Sequence, residues 1–328
     1  MLSKGLFYNP DVKSDLEEKK EREQIMASVL RTDSLTKVYG KNTVVDHVSM
    51  NIEQGDIYGL IGRNGAGKTT LMKMIGGVAT PTSGAYEFFG EKDNIKTLSR
   101  IGCLIESPSL YPELTVWENM MFYNKLLGIT DEKNIDEILD YVGIYEAKKK
   151  KTKQLSLGMK QRLGIGIALI GYPDMLILDE PINGLDPTGI VDIRNLLLKL
   201  NKEKGVTLLI SSHILGELER LATRFGVIDR GVLVDEITYE ELLEKTRKAV
   251  RIEGLDPRKV AVTLEEIKLN DYKVIDGGKV MVYCDTGLSG RINRALGEKG
   301  LYAESIGTVG QDLETYFVEK MGGGVQNA

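Results

Sequence analysis

Apolar residues along the first two thirds of the chain alternate between short continuous runs and helical spacings. The runs predict β-strands at residues 29–38, 44–52, 57–61, 86–89, 101–105, 175–178 and 207–210. Apolar residues three and four positions apart predict helices ending near residue 75, and at 116–127, 135–142, 157–168 and about 189–202. This alternation predicts an α/β fold in which residues 116 to about 170 are mainly helical.

A second pattern begins after Arg247. It predicts strands at 250–252, 272–275, 280–283 and 302–306, and helices at 257–268, 292–298 and 312–321. The two central strands flank Asp276-Gly277-Gly278-Lys279, which is a strong hairpin signal. The order βαββαβ predicts a small α+β domain of the ferredoxin-like kind. It carries no catalytic constellation, so we expect an accessory or dimerisation role, with ligand sensing as the alternative.

The two ends of the chain differ from the parts between them. Residues 11–23 are almost continuously charged, which predicts a solvated helix or disorder, with a regulatory arm as the alternative. Met26 is an alternative natural start. We therefore expect a charged N-terminal extension at 1–27, a main domain at 28–247, the accessory domain at 248–321 and a flexible tail at 322–328.

The first strong chemical signal is the stretch GRNGAGKTT at residues 62–70. It has the phosphate-loop spacing, with Gly62, Gly67, Lys68 and Thr69 in place between a predicted strand and a predicted helix. Glycines let backbone N–H groups surround an anion, and the helix N-terminus adds unpaired donors. The lysine supplies a charge for the β- and γ-phosphates, and the threonine hydroxyl suits Mg²⁺. The stretch predicts nucleotide binding.

Two carboxylates follow the fully apolar run at 175–178. Such a run is typical of a central strand in a covered parallel sheet, and ligands bind at the carboxyl ends of such strands. Asp179 is suited to hold Mg²⁺ through its water shell, and Glu180 to polarise an attacking water. His213 also follows a predicted strand and can donate to a γ-phosphate, with a capping or surface role as the alternative.

Composition narrows the class of protein. The chain has 328 residues, enough for two domains, with 42% hydrophobic and 28% charged residues, as in soluble globular proteins. The net charge of -5 does not favour nucleic-acid binding. We see no signal peptide and no apolar run of about 18 residues that could span a membrane. Cys103 and Cys284 match no metal or redox spacing, so we expect small core residues in a reducing compartment.

Taken in order, these motifs resemble the ATP-binding cassette family, the nucleotide-binding subunits of ABC transporters, over about residues 29–246. Residues 62–69 resemble the Walker A motif, and residues 175–180 resemble Walker B with its catalytic glutamate. Residues 156–159 resemble the family signature, and residues 183–186 resemble the D-loop. His213 resembles the switch histidine, and Tyr39 the aromatic residue that stacks on adenine. The run at 105–117 and the form LSLGMKQR are most similar to the bacitracin- and lantibiotic-type exporter ATPases.

The resemblance implies a P-loop NTPase cassette with a mixed sheet core, an antiparallel β subdomain and a helical subdomain at about 107–172. It implies ATP and Mg²⁺ as ligands. Catalytic roles fall to Lys68, Glu180 and His213, and metal ligation to Thr69, Asp179 and Glu106. The nucleotide-binding residues that it implies are Tyr39, Gly62, Asn64, Gly65, Gly67, Lys68, Thr69, Thr70, Glu106, Ser156, Gly158 and Asp186.

The resemblance also implies partners. Two cassettes face head to tail around two ATP molecules, so that each ATP touches Lys68 of one copy and Ser156 of the other. Hydrolysis then drives a separate integral membrane permease that exports a peptide antibiotic, a drug or a similar compound. We expect a homodimer, with a heterodimer left open, on the cytoplasmic inner face of the cell membrane. The alternative is a cassette regulator acting on ribosomes or DNA.

The sequence departs from the family pattern at three positions. Leu157 and Met159 stand where the signature normally has Gly and Gln, although Ser156 and Gly158 are retained. Glu106 replaces the usual glutamine of the Q-loop and adds a negative charge near the phosphates. We expect this charge to slow hydrolysis or alter coupling.

Two further segments allow two interpretations each. The basic run at 148–151 is either a solvated loop or a contact for anionic lipid or an acidic partner. Leu110, Tyr111, Leu114 and Trp117 are either packed core or face the coupling helix of the permease.

Overall fold

The chain folds into two compact units that divide between Ile237 and Thr238. The computed structural model describes residues 28–92, 94–310 and 313–322. The predicted extension at 1–27 and residues 323–328 of the predicted tail lie outside this description. The division comes about ten residues before the predicted boundary, because the helix at Tyr239–Thr246 groups with the second unit.

The strands and helices of the first unit follow the predicted alternation as far as residue 212, whereas the two strands at 224–229 and 232–238 were not predicted. Its strands are β1 (Ser28–Tyr39), β2 (Asn42–Val48), β3 (Asn51–Glu53), β4 (Ile57–Ile61), β5 (Ser83–Phe88), β6 (Ile101–Leu104), β7 (Met175–Asp179), β8 (Thr207–Ser212), β9 (Arg224–Asp229) and β10 (Val232–Thr238). Its helices are α1 (Lys68–Ile75), α2 (Asn94–Leu98), α3 (Val116–Leu126), α4 (Lys133–Tyr141), α5 (Leu157–Ala168), α6 (Pro187–Lys204) and α7 (Leu215–Glu219). Helices α3, α4 and α5 lie between residues 116 and 168, where the apolar spacing predicted helices.

A central sheet in the order β10-β9-β4-β8-β7-β6 carries the carboxyl-terminal loops of interest. Strands β9, β4, β8, β7 and β6 run parallel. Every residue of β4, β7 and β8 is buried, which explains why their central residues are apolar. Because these strands are parallel and adjacent, the residues that follow β4, β6, β7 and β8 emerge at one edge of the sheet.

An antiparallel sheet is organised around β1, which pairs with β2, β3 and β5. The prediction of one strand at 44–52 was wrong, because β2 and β3 are separate strands. The side chain of Thr32 in β1 forms hydrogen bonds with the backbone on both sides of the break between them. Its Oγ1 donates to the Val48 carbonyl at 3.0 Å and accepts from the Met50 amide at 2.9 Å. The two short helices α2 and α7 were missed because each has five residues, too few to show a period.

Close packing fixes α5 against the central sheet. A Cβ on Gly102 of β6 would lie 2.0 Å from the Ala168 carbonyl oxygen, and one on Gly164 of α5 would lie 2.6 Å from Pro108 Cγ. These distances leave room for hydrogen alone at both positions. Helix α5 is therefore held tightly against β6 and the loop that follows it.

The second unit has a four-stranded antiparallel sheet. Its elements are α8 (Tyr239–Thr246), β11 (Ala249–Glu253), α9 (Pro257–Glu266), β12 (Tyr272–Ile275), β13 (Lys279–Val282), α10 (Ser289–Glu298), β14 (Ser305–Val309) and α11 (Leu313–Lys320). The strand order is β12-β13-β11-β14, with every pairing antiparallel. From β11 to β14 the elements have the predicted order βαββαβ. Residues of β11, β13, α9 and α10 form its core.

Two expectations about single features need correction. The last strand was predicted at 302–306 and stands at Ser305–Val309, because residues 301–304 lead into it and Glu304 N donates to the Glu253 carbonyl at 3.0 Å. Cys103 is exposed and Cys284 is half-buried, so the expectation of two core cysteines was wrong.

Candidate active site

The loop between β4 and α1 requires its glycines. Gly65 and Gly67 have φ angles of 81° and 106°, which L side chains rarely adopt. A Cβ on Gly62 would lie 2.5 Å from the Ile228 carbonyl oxygen, and one on Gly67 would lie 2.6 Å from that of Val44. The loop is therefore built from backbone alone, with α1 starting immediately after it at Lys68.

The Lys68 ammonium lies inside this loop. Its side chain is 5% exposed, and Nζ donates to the carbonyl oxygens of Gly62 at 2.7 Å and Arg63 at 3.3 Å. Nζ is also 3.4 Å from Glu180 Oε1. A buried cation with these partners is ready to exchange backbone contacts for an anionic ligand.

Asp179 is a buried carboxylate held by two hydroxyl groups. Its side chain is 2% exposed. Thr69 Oγ1 donates to Oδ2 at 2.7 Å, and Ser211 Oγ donates to Oδ1 at 2.5 Å. Sequence reasoning missed Ser211, whose signal is its register opposite Asp179 at the end of the neighbouring strand β8.

This oxygen-rich group fits Mg²⁺. Magnesium in nucleotide sites takes one or two carboxylates, hydroxyl groups, waters and substrate phosphates. Thr69 and Asp179 supply a hydroxyl and a carboxylate within one hydrogen bond of each other. In the described parts of the chain there is no group of three or more His, Cys, Asp or Glu residues that could hold a metal unaided. The donor set is thus one that a nucleotide would complete.

Glu180 stands at the centre of a second set of contacts. Its φ angle is +50°, a strained value for a residue with a side chain. The strained backbone is held by Ser211, whose Oγ accepts from Glu180 N at 2.9 Å. Glu180 Oε2 is 2.8 Å from His213 Nδ1. Because a carboxylate only accepts, His213 Nδ1 carries the proton and Nε2 is left to another partner.

Glu106 has a different partner from the one expected. It follows β6 with a φ angle of +66°, and its side chain is 62% exposed. Lys73 Nζ of α1 donates to Glu106 Oε1 at 2.5 Å. This hydrogen bond is the main reason why the pKa of Lys73 is raised above its usual value. Ligation of a metal by Glu106 stays a prediction.

The predicted adenine and signature residues lie on other elements. Tyr39 ends β1, is 51% exposed, and has Lys37 Nζ 4.9 Å from its ring centroid. Ser156 caps α5 and accepts from Met159 N at 3.3 Å. Asp186 caps α6 and accepts from Gly189 N at 3.1 Å.

The signature residues face the segment around residue 184 of the same chain. A Cβ on Gly184 would lie 3.3 Å from Leu157 Cδ2, and one on Gly158 would lie 3.9 Å from Leu185 Cδ2. Ser156, Leu157, Asn64 and Asp186 are exposed, whereas Thr70 is half-buried. The structure thus gathers Lys68, Thr69, Asp179, Glu180 and His213 in one group, and the signature with the D-loop segment in another.

Comparison with known proteins identifies the chain. Residues 45–183 match the family model described as ABC transporter. The chain is 44% identical over 303 residues to the bacitracin transport ATP-binding protein BcrA of Bacillus licheniformis, which covers 91% of this chain and 99% of that protein. This chain belongs to the ABC transporter ATP-binding family. The resemblance inferred from the motifs is confirmed, and a match of this length extends into the second unit.

Other ABC transporter subunits and cassettes agree with this assignment. The lantibiotic transport ATP-binding protein SrtF of Streptococcus pyogenes is 46% identical over 212 residues, 65% of this chain and 92% of that protein. A crystal structure of a nucleotide-free ATP-binding cassette from an ABC transporter matches with a TM-score of 0.60 and 28% identity, covering 66% of this chain and 94% of that one. A dimeric cassette bound to ADP and Pi matches with a TM-score of 0.58 and 27% identity, over 64% of this chain and 98% of its own. The predicted cassette fold is confirmed.

Two surface segments were open to interpretation, namely the basic run at 148–151 and the segment around Tyr111. Two of the four lysines in the basic run form ion pairs, with Lys148 Nζ 3.1 Å from Asp136 and Lys151 Nζ 3.2 Å from Glu113. Tyr111 is 45% exposed and its ring lies 4.7 Å from that of Phe122, so it is not core. Across the described ranges, we find no helix with both the length and the apolar character needed to cross a bilayer.

Proposed function

We propose that the chain is the ATP-binding and ATP-hydrolysing subunit of an exporter that drives a separate membrane permease. The observation that carries this proposal is the convergence of Lys68, His213 and the strained Glu180 beside the Thr69–Asp179 pair. The names of the similar proteins support a peptide antibiotic, a drug or a similar compound as the cargo. The permease would place the protein on the inner face of the cell membrane. No observation favours the alternative of a regulator acting on ribosomes or DNA.

The residues would act on ATP as follows. The backbone N–H groups of the loop and the N-terminus of α1 bind the phosphates, and Lys68 turns from its carbonyl partners towards the β- and γ-phosphates. Glu180 Oε1 orients and polarises the attacking water, and its fixed backbone keeps the carboxylate in place. His213 holds Oε2 through Nδ1–H, and it could donate to the γ-phosphate only in the form that carries a proton on Nε2 as well.

Thr69 and Asp179 would hold Mg²⁺, which offsets the charge that develops on the phosphates when it is bound. Ser211 keeps Asp179 in position through its short hydrogen bond. Tyr39, at the end of β1, would stack on the adenine ring. Asn64, Gly65 and Thr70 belong to the same loop and helix start.

The site would be completed by a second copy. Ser156 and Gly158 form part of a group separate from Lys68, yet Ser156 is exposed at a helix N-terminus, where an anion is favoured. A head-to-tail homodimer would place this group over the γ-phosphate bound by the other chain. The dimeric cassette among the similar structures supports this arrangement.

The surface around Tyr111 would receive the permease. Its ring and that of Phe122 form an exposed aromatic pair, and Leu126 on the same helix as Phe122 is 69% exposed. Such a patch is typical of a protein–protein contact. Tyr111→Ala should lower transport and leave basal ATPase activity unchanged, because this side chain is absent from the group around Lys68.

The proposed function is tested with Glu180→Gln. The variant keeps the shape of the side chain but cannot polarise water, so we expect retained ATP binding, ATPase turnover reduced by about a hundredfold or more, and an ATP-trapped dimer. Sedimentation with ATP measures the dimer, and phosphate release measures turnover. Glu217→Gln is the matched control, because Glu217 of α7 is 20% exposed like Glu180 but pairs with Arg194 of α6. Full ATPase activity in Glu180→Gln would refute the proposal.

A further inference from the structure

Two glutamates occupy equivalent places at the edge of the central sheet. Leu104 of β6 is paired with Leu178 of β7, so Glu106 and Glu180 each follow their paired leucine by two residues. Both have positive φ angles, +66° and +50°. Each also meets a lysine of α1, since Lys73 contacts Glu106 and Lys68 contacts Glu180. One helix thus supplies a cation to each carboxylate.

Helix packing fixes the position of Lys73. Thr69 and Lys73 are four residues apart, so they share one face of α1 and lie about 6 Å apart along its axis. At the end of the helix, a Cβ on Gly76 would lie 3.1 Å from Cys103 Sγ and 3.2 Å from Ile105 Cδ1. The helix therefore approaches β6 closely, just before Glu106. Lys73 and the Thr69 hydroxyl face the same edge of the sheet.

We propose that Lys73 is a positioning residue that neutralises Glu106 beside the nucleotide. A glutamate at this position brings a negative charge near the phosphates, and the ammonium at 2.5 Å offsets it. The pair also holds the Glu106 side chain along α1, one turn from Thr69. Lys73 occupies Oε1 of Glu106, so that oxygen can enter the shell of a bound metal only after it leaves Lys73. This inference rests on the proposed nucleotide site.

The ion pair contributes little to folding. Its side chains are 30% and 62% exposed, and pairs in such surroundings add at most about 1 kcal/mol to stability. Its importance must therefore be sought in ligand binding. In nucleotide-free protein, removing the lysine alone leaves an uncompensated carboxylate. Removing both charges restores the net charge that the site has in the wild type.

The test measures ATP binding to the full chain in EDTA by titration calorimetry. Lys73→Met should weaken binding by roughly three- to tenfold, the effect of one added charge on a multiply charged phosphate chain over about 6–10 Å in screened surroundings. Lys73→Met with Glu106→Gln should return to within about twofold of wild type, and Lys73→Arg should bind as wild type does. Excess Mg²⁺ should narrow the difference between Lys73→Met and wild type.

Two controls complete the design. Lys202→Met removes the same charge near the end of α6, before β8 begins and so away from the carboxyl edge, and should bind ATP as wild type does. Lys73→Gln serves as a second neutral variant. Unchanged binding by both neutral Lys73 variants would overturn the inference. So would a double variant as weak as Lys73→Met, because Lys73 would then act without Glu106. A wild-type chain that binds no ATP overturns the proposed function, and this inference with it.

Discussion

Ser211 is the residue through which the two carboxylates of the site are tied together. Its Oγ donates to Asp179 Oδ1 at 2.5 Å and accepts from Glu180 N at 2.9 Å, and the residue is fully buried. Ser211→Ala removes both hydrogen bonds without adding any atom. A hydrogen bond to a charged group contributes about 1.5–3 kcal/mol, and the backbone bond about 1 kcal/mol. We expect a loss of about 3 kcal/mol in the free energy of unfolding.

The variant should also lose activity. Glu180 keeps a φ angle of +50° while its amide is held, and releasing that amide lets the backbone relax and displaces the carboxylate. We expect kcat to fall about tenfold or more, while the affinity for ATP changes less because Lys68 is not touched. Urea unfolding followed by fluorescence and steady-state phosphate release give the two quantities.

Ser212→Ala is the matched control for this prediction. Ser212 is the next residue of β8, is equally buried, and accepts from the neutral amide of Ile214 at 2.9 Å. Its replacement should cost about 1 kcal/mol. If Ser211→Ala is no less stable and no less active than Ser212→Ala, the bridging role of Ser211 is refuted.

Two further predictions concern packing and pH. Gly102→Ala would place Cβ 2.0 Å from the Ala168 carbonyl oxygen, so it should lower the melting temperature sharply. Gly216→Ala is the control, because the space around Gly216 is open and the melting temperature should not change. Thermal unfolding of the two variants compares them. Burial raises the pKa of Glu236, so its folded form binds a proton more tightly than its unfolded form. Its contribution is therefore greatest below its unfolded pKa of about 4.3 and is lost as pH rises through the raised value. Glu236→Gln should be more stable than wild type at neutral pH, and this difference in stability should vanish in acid. Urea unfolding midpoints of both proteins across pH 4–8 measure the difference. A difference that stays constant with pH would contradict the prediction.

Local chemistry explains which features the sequence could predict. Strands β4 and β7 were found because both faces of each are covered, which forces an unbroken apolar run. The phosphate loop was found because Gly62 and Gly67 are required at the backbone itself, whatever surrounds the loop. In these cases the constraint acts within a few neighbouring residues, so it leaves a pattern in the sequence.

Features that depend on distant partners left no such pattern. The break between β2 and β3 follows from the hydroxyl of Thr32 on another strand. Ser211 has its role only because its register places it opposite Asp179. In the sequence, nothing distinguishes it from any other serine at the end of a strand. The partner of Glu106 was also hidden, because Lys73 is 33 residues away along the chain and meets it through helix packing.

The arrangement of charges explains how the site stays stable before a nucleotide arrives. Lys68 is paired with Glu180 and hydrogen-bonded to two carbonyl oxygens, and Asp179 accepts from two hydroxyl groups, so neither buried charge lacks a partner. Every one of these partners lies in a single cassette. Ser156 stands apart, exposed at the start of α5. ATP would take over the contacts of Lys68, freeing Glu180 for water, and only then would its γ-phosphate offer an anion to Ser156 of a second chain. On this reasoning, nucleotide binding comes before dimerisation, and Lys68→Ala should abolish the ATP-dependent dimer that Glu180→Gln traps.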